Sequence, residues 1–88
     1  MGHGADNPRE RYTISGRIAA DLRVRIAAGE FPDKPGHIPD QTPLPSETAL
    51  MAQYDTSKDT VRRAIEILRD QGLVFTVPQI GTFVRKPD

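Results

Sequence analysis

There is no cysteine in these 88 residues, so neither a disulfide framework nor thiolate chemistry is open to the chain, which suits a reducing interior. His3 and His37 are its only histidines, and by themselves they cannot assemble a zinc site. No apolar run approaches the roughly 20 residues that span a bilayer, and the N-terminus lacks the apolar core of a signal peptide. A cytoplasmic chain with no membrane partner is the expectation. A net charge is missing too, with twelve Lys and Arg against twelve Asp and Glu. Domains that grip nucleic acid are commonly basic, so a neutral chain must separate its charges to offer phosphate a positive face. Residues 9–25 place Arg9, Arg11, Arg17, Arg23 and Arg25 against Glu10 and Asp21, whereas residues 30–47 place Lys34 against Glu30, Asp33, Asp40 and Glu47. Such regions act separately, because at moderate salt fields reach only about 10 Å. Catalytic signatures are also missing. There is no glycine-rich phosphate loop and no paired histidine, and the two serines with a clear position, Ser46 and Ser57, have capping roles and no base beside them. No catalytic residue, metal or cofactor is expected, and the chain does not read as an enzyme.

What is present centres on residues 56–72. Ser57 is a good helix N-cap, and Val61, Ala64, Ile65 and Leu68 follow at i, i+3, i+4 and i+7, which gathers four apolar groups on one face. Gly72 is a natural stop. Lys58, Asp59, Arg62, Glu66 and Arg69 stand opposite the stripe, with Arg63 on its flank. A solvated face is the plain alternative for such a charged side. After the stop, residues 73–77 and 82–85 are β-branched and aromatic around the break Pro78, Gln79, Ile80 and Gly81, the pattern of a β-hairpin. A capped amphipathic helix that runs into a hairpin is the ending of a winged helix-turn-helix, in which the helix enters a DNA major groove.

The upstream chain fits that ending. Residues 1–11 read as a polar, mobile tail in front of a single small domain at 12–86. In the tail, Arg9 and Arg11 are either solvated or an arm for a minor groove. From about Thr13 to Ala28, Ile14, Ile18, Leu22 and Ile26 recur every fourth position with Ala19 beside them, a first helix that Gly29 ends. Five prolines at 32, 35, 39, 43 and 45 forbid helix and central strand, leaving a long connection with room for an edge strand near Ile38 or Leu44. His37 in that connection reads as an exposed loop residue. A second helix starts at the cap Ser46, with Glu47 in its first turn where the helix dipole favours an anion. Its apolar side is Ala49, Leu50, Met51 and Tyr54. Asp55 and Thr56 make a turn so short that the two helices must cross steeply.

With these pieces in order, the chain resembles the DNA-binding domain of the GntR family of bacterial transcription regulators over roughly residues 13–85. The likeness is carried by Ile18, Leu22, Ile26 and Gly29; by Leu44-Pro45-Ser46-Glu47; by residues 56–65 with Leu68; by Gly72-Leu73-Val74; and by Gly81-Thr82-Phe83-Val84. It implies an α+β, mainly α, winged helix-turn-helix of three helices plus a small C-terminal antiparallel hairpin. It also implies binding of a near-palindromic operator in double-stranded DNA as a homodimer, usually under a C-terminal effector domain. Four positions depart from the family's pattern. The connection between Gly29 and Leu44 is long, Thr48 and Lys58 stand where arginines are common, and Gln79 stands where the wing often has glycine.

On that picture Lys58 donates to guanine O6 or N7, while Ser57, Thr60 and Arg62 hold phosphates. Asp59 either accepts from a cytosine amino group or serves the helix N-terminus. Ser46, Thr48 and Arg63 complete the helical contacts, and Thr82 with the Gly81 backbone meets the DNA at the wing. The four residues after Val84 hold no dimerising element, so the free chain is expected to be a monomer in the nucleoid-associated cytoplasm. A winged helix used for protein contact is the rival reading, which a salt-dependent shift with duplex DNA separates from DNA binding.

Overall fold

The computed structural model describes residues 13–32 and 42–85. The tail 1–11 with His3, Arg9 and Arg11, and the His37 and Ile38 stretch of the connection, lie outside the described residues. Local signals set the helices. In α1 (Ile14–Ala27) the Thr13 hydroxyl accepts from the Gly16 N–H at 2.9 Å. In α2 (Glu47–Tyr54) the Ser46 hydroxyl accepts from Ala49 at 3.1 Å, and in α3 (Lys58–Asp70) the Ser57 hydroxyl accepts from Thr60 at 3.3 Å. Each hydroxyl satisfies one of the N–H groups that a helix start leaves unpaired. The stops of α1 and α3 share one design. Gly29 and Gly72 take positive φ (72° and 77°), and the next residues, Glu30 and Leu73, donate back to the carbonyls of Arg25 and Leu68 at 3.0 Å. That closure is the Schellman pattern, and it turns the chain without a Cβ penalty.

The turn between α2 and α3 uses a left-handed residue as well, but it is Asp55 (φ 51°, ψ 56°), with the Thr56 N–H donating to the Met51 carbonyl at 3.0 Å. Aspartate tolerates this region better than most residues. Three strands complete the fold: β1 (Thr42–Pro43), β2 (Val74–Val77) and β3 (Gly81–Val84), in the antiparallel order β1-β3-β2. The expected hairpin is present, with Phe75 opposite Phe83 and Thr76 opposite Thr82. The expected edge strand lies at residues 42–43, immediately before Leu44, and pairs Thr42 with Val84 and Pro43 with Phe83. Pro43 is tolerated there because an edge strand needs no donor on its outer side.

One core unites these elements: Ile18, Ala19 and Leu22 from α1, Leu50 from α2, Val61, Ala64, Ile67 and Leu68 from α3, and Leu44 and Val74 from the sheet side. Two stripes differ from their sequence reading. In α1, Ile14 is 63% exposed and Ile26 only partly buried. A strict four-residue repeat advances about 400° per step, so its two ends rotate off a straight contact line that its middle keeps. In α3 the buried residue beside the stripe is Ile67, while Ile65 is half-buried and faces an open groove.

Candidate nucleic-acid interface

That groove, about 640 Å³, runs between the first turn of α2, the outward face of α3 and the wing formed by β2 and β3. It exists because α3 is amphipathic. Val61, Ala64 and Leu68 hold the helix to the core, and Arg62, Glu66 and Arg69 stand exposed at i, i+4 and i+7 on the other side. The groove brings Ser46, Thr48, Arg62, Gly81 and Thr82 together from three separate stretches of chain. Ser57, Lys58, Asp59 and Thr60 form a second group at the N-terminal turn of α3, outside the groove's lining. Lys58 and Asp59 are exposed there, while Ser57 is committed to its cap and lies 3.0 Å from the Thr60 hydroxyl. Arg63 is exposed but turned about 100° from Arg62 and does not line the groove.

Three further groups make contacts on this face that sequence reasoning did not assign. Glu47 accepts from the Arg62 Nε at 3.0 Å, which joins α2 to α3. Arg69 lies within 3.4 Å of the Thr76 hydroxyl, itself 3.5 Å from that of Thr82, which ties α3 to the wing. Helical spacing already placed Arg69 in line with Arg62. Nothing in the sequence paired Thr76 with Thr82 except the hairpin register. The wing's tip carries strain where the sequence departs from glycine. The Ile80 N–H donates to the Val77 carbonyl at 3.0 Å, Pro78 takes the second turn position and Gln79 the third with φ 67°. This is the type II arrangement, which favours glycine at that third position. It leaves Ile80 71% exposed at the tip.

Arg25, counted with the basic stretch, is not part of this face. Its Nε donates to Glu30 at 2.8 Å and its Nη1 to the Tyr54 hydroxyl at 2.8 Å and to Gln53 at 3.1 Å, and its guanidinium lies over the Phe31 and Tyr54 rings. Tyr54 in turn donates to Asp21. The hydrogen bond to Tyr54 is the chief cause that raises the Arg25 pKa. Burial is the chief cause that raises the Tyr54 phenol above its ordinary value, with donation to Asp21 adding to it and Arg25 opposing it. The cluster is a brace between the ends of α1 and α2.

The family model described as "Bacterial regulatory proteins, gntR family" matches residues 14–84. Among curated relatives, the HTH-type transcriptional repressor NagR of Bacillus subtilis is 41% identical over 82 residues, covering 92% of this chain and 30% of NagR. The mannosyl-D-glycerate transport/metabolism system repressor MngR of Escherichia coli is 36% identical over 70 residues, covering 80% of this chain and 26% of MngR. The chain thus spans under a third of the length of these relatives. Among solved structures, AraR(DBD) in complex with operator ORE1 superposes with a TM-score of 0.71 at 29% identity, covering 83% of this chain and 80% of that one. The transcriptional regulator YydK of Bacillus subtilis gives 0.71 at 29% identity over 86% of this chain and 30% of its own. The winged helix-turn-helix read from the caps, the stripe and the hairpin is the fold of these neighbours, and the chain belongs to the gntR family of bacterial regulatory proteins.

Proposed function

We propose that this chain is the part of a transcriptional repressor that recognises its operator, binding duplex DNA with α3 in the major groove and the wing on the adjacent backbone or minor groove. The family is one of regulators, and the chain is not an enzyme. The observation that carries the proposal is the outward face of α3: an exposed, capped N-terminal turn with Lys58, followed along the helix by Arg62 and Arg69, beside a wing whose Thr82 shares their groove. Its fold neighbours include a DNA-binding domain solved on an operator.

In this reading Lys58 donates to guanine O6 or N7 as a flexible point charge, less selective than an arginine fork. Arg62, Ser57 and Thr60 fix the register on phosphates, with Ser46, Thr48 and Arg63 at the margins. Asp59 has no partner among the described residues beyond its place in the first turn, where the helix dipole favours it. Gly81 and Thr82 meet the DNA at the wing. The site of action is the cytoplasm, on the nucleoid, with two copies on a near-palindromic operator whose half-sites lie about one helical turn apart. The free chain is a monomer whose affinity for the full operator rises when two copies are linked, through effective concentration alone.

Selection of bound sequences from random duplex DNA is the direct test. A palindromic consensus, with affinity that falls steeply as salt rises, is the expected outcome. No enrichment, or binding indifferent to salt, overturns the proposal. Sedimentation at micromolar concentration tests the monomer, and a stable dimer there would move an interface into this chain.

A further inference from the structure

The ion pair between Glu47 and Arg62 is odd for an anion-binding surface. A carboxylate set against a phosphate-holding cation lowers the local positive potential and opposes DNA binding unless it does something else. It is not there for the fold, because the two side chains are 43% and 57% exposed and ion pairs so open to water contribute little stability. The contact geometry suggests its use. Glu47 Oε2 accepts from the Nε of Arg62 at 3.0 Å, while Nη1 and Nη2 donate to nothing among the described residues. A guanidinium held by its Nε presents its far edge as a planar two-pronged fork, the shape that matches two oxygens of one phosphate. The anchor stands in the first turn of α2 and the fork on α3, so the pair fixes the fork relative to both helices.

From this we infer that Glu47 is a positioning residue whose carboxylate oxygen holds the Arg62 guanidinium with its Nη edge directed at a phosphate of the bound duplex, so that the side chain strengthens operator binding in spite of its negative charge. The inference rests on the DNA-binding reading and deepens it. Its signature is one of sign. A mere surface anion, once removed, should let the chain bind every duplex more tightly. A positioning side chain, once its accepting oxygen is removed, should weaken operator binding because the fork must be ordered on contact.

The experiment is a double-mutant cycle on the intact chain with the duplex selected from the random pool, read as Kd over a salt series, with melting curves to show that each variant is folded. Glu47→Ala is expected to bind the operator about three- to tenfold more weakly, although it removes a negative charge. Glu47→Gln, whose amide oxygen still accepts from Nε, should bind at least as well as the parent. In an Arg62→Ala background, Glu47→Ala should bring no further loss. Tighter binding by both Glu47 variants in both backgrounds overturns the inference, as does an equal loss from Glu47→Ala with or without Arg62, which marks a role in α2 itself. If the parent chain binds no duplex, it is the DNA-binding reading that fails.

Discussion

Arg25 and Arg62 each pair through Nε with a glutamate, yet their surroundings differ. Arg25 is half-buried, donates also to Tyr54 and Gln53, and lies over two aromatic rings. Arg62 is exposed, has one carboxylate partner, and keeps its terminal nitrogens unbonded among the described residues. A guanidinium that has found partners on several sides fixes helices relative to each other; one held at a single nitrogen keeps donors that an outside anion can reach. Counting arginines along the chain cannot separate the two, because the difference lies in what the fold brings to each.

The largest effect removes the support beneath both sites. Leu68 is fully buried at the centre of the core, so Leu68→Ala should destabilise the chain by about 2–5 kcal/mol. In so small a domain this is a large share of the total, and an unchanged melting temperature would show that the α3 stripe was misread.

The two arginines should then part in a paired measurement. Arg25→Ala is expected to lower stability by about 1–2 kcal/mol, a figure reduced for partial exposure, and to leave the salt slope of DNA binding alone. Arg62→Ala should change stability by no more than about 0.5 kcal/mol, weaken binding to all duplexes similarly, and reduce the salt slope by about one. Lys58→Ala instead should change which sequence is preferred. Exchanged outcomes for Arg25 and Arg62 would reverse the assignment.

A smaller effect tests the brace through pH. Because burial and its bond to Asp21 raise the Tyr54 pKa in the folded state, its contribution is fully present below the unfolded value of about 10 and is lost as pH rises through the raised folded value. Deprotonation also sets a phenolate against Asp21. Alkaline titration of stability should therefore show a decline above about pH 10 that Tyr54→Phe flattens, and an identical decline in both proteins would remove Tyr54 as the cause. The smallest effect is at the wing's tip, where Gln79→Gly relieves a left-handed side chain but adds unfolded-state entropy, for a net gain of about 0.5 kcal/mol. Asp55→Gly should gain less, since aspartate is already at ease there. Equal gains in thermal melts would deny that difference.

Much of the fold was legible because its signals act within a few residues. Ser46 and Ser57 cap helices two or three positions on, Gly29 and Gly72 close them, and Val61, Ala64 and Leu68 recur at the helical period, so backbone geometry alone places them. Lys58, Arg62 and Arg69 on one outward face follow from the same period. The tertiary structure decided what depends on partners distant in sequence: that Ile67 is sheltered while Ile65 opens on a groove, that residues 42–43 pair with β3, that Arg25 meets Tyr54, and that Glu47 meets Arg62. These contacts join groups that no local repeat relates. Which of several charged residues lie together is set by how the helices cross, and the crossing is fixed by the packing of the whole core.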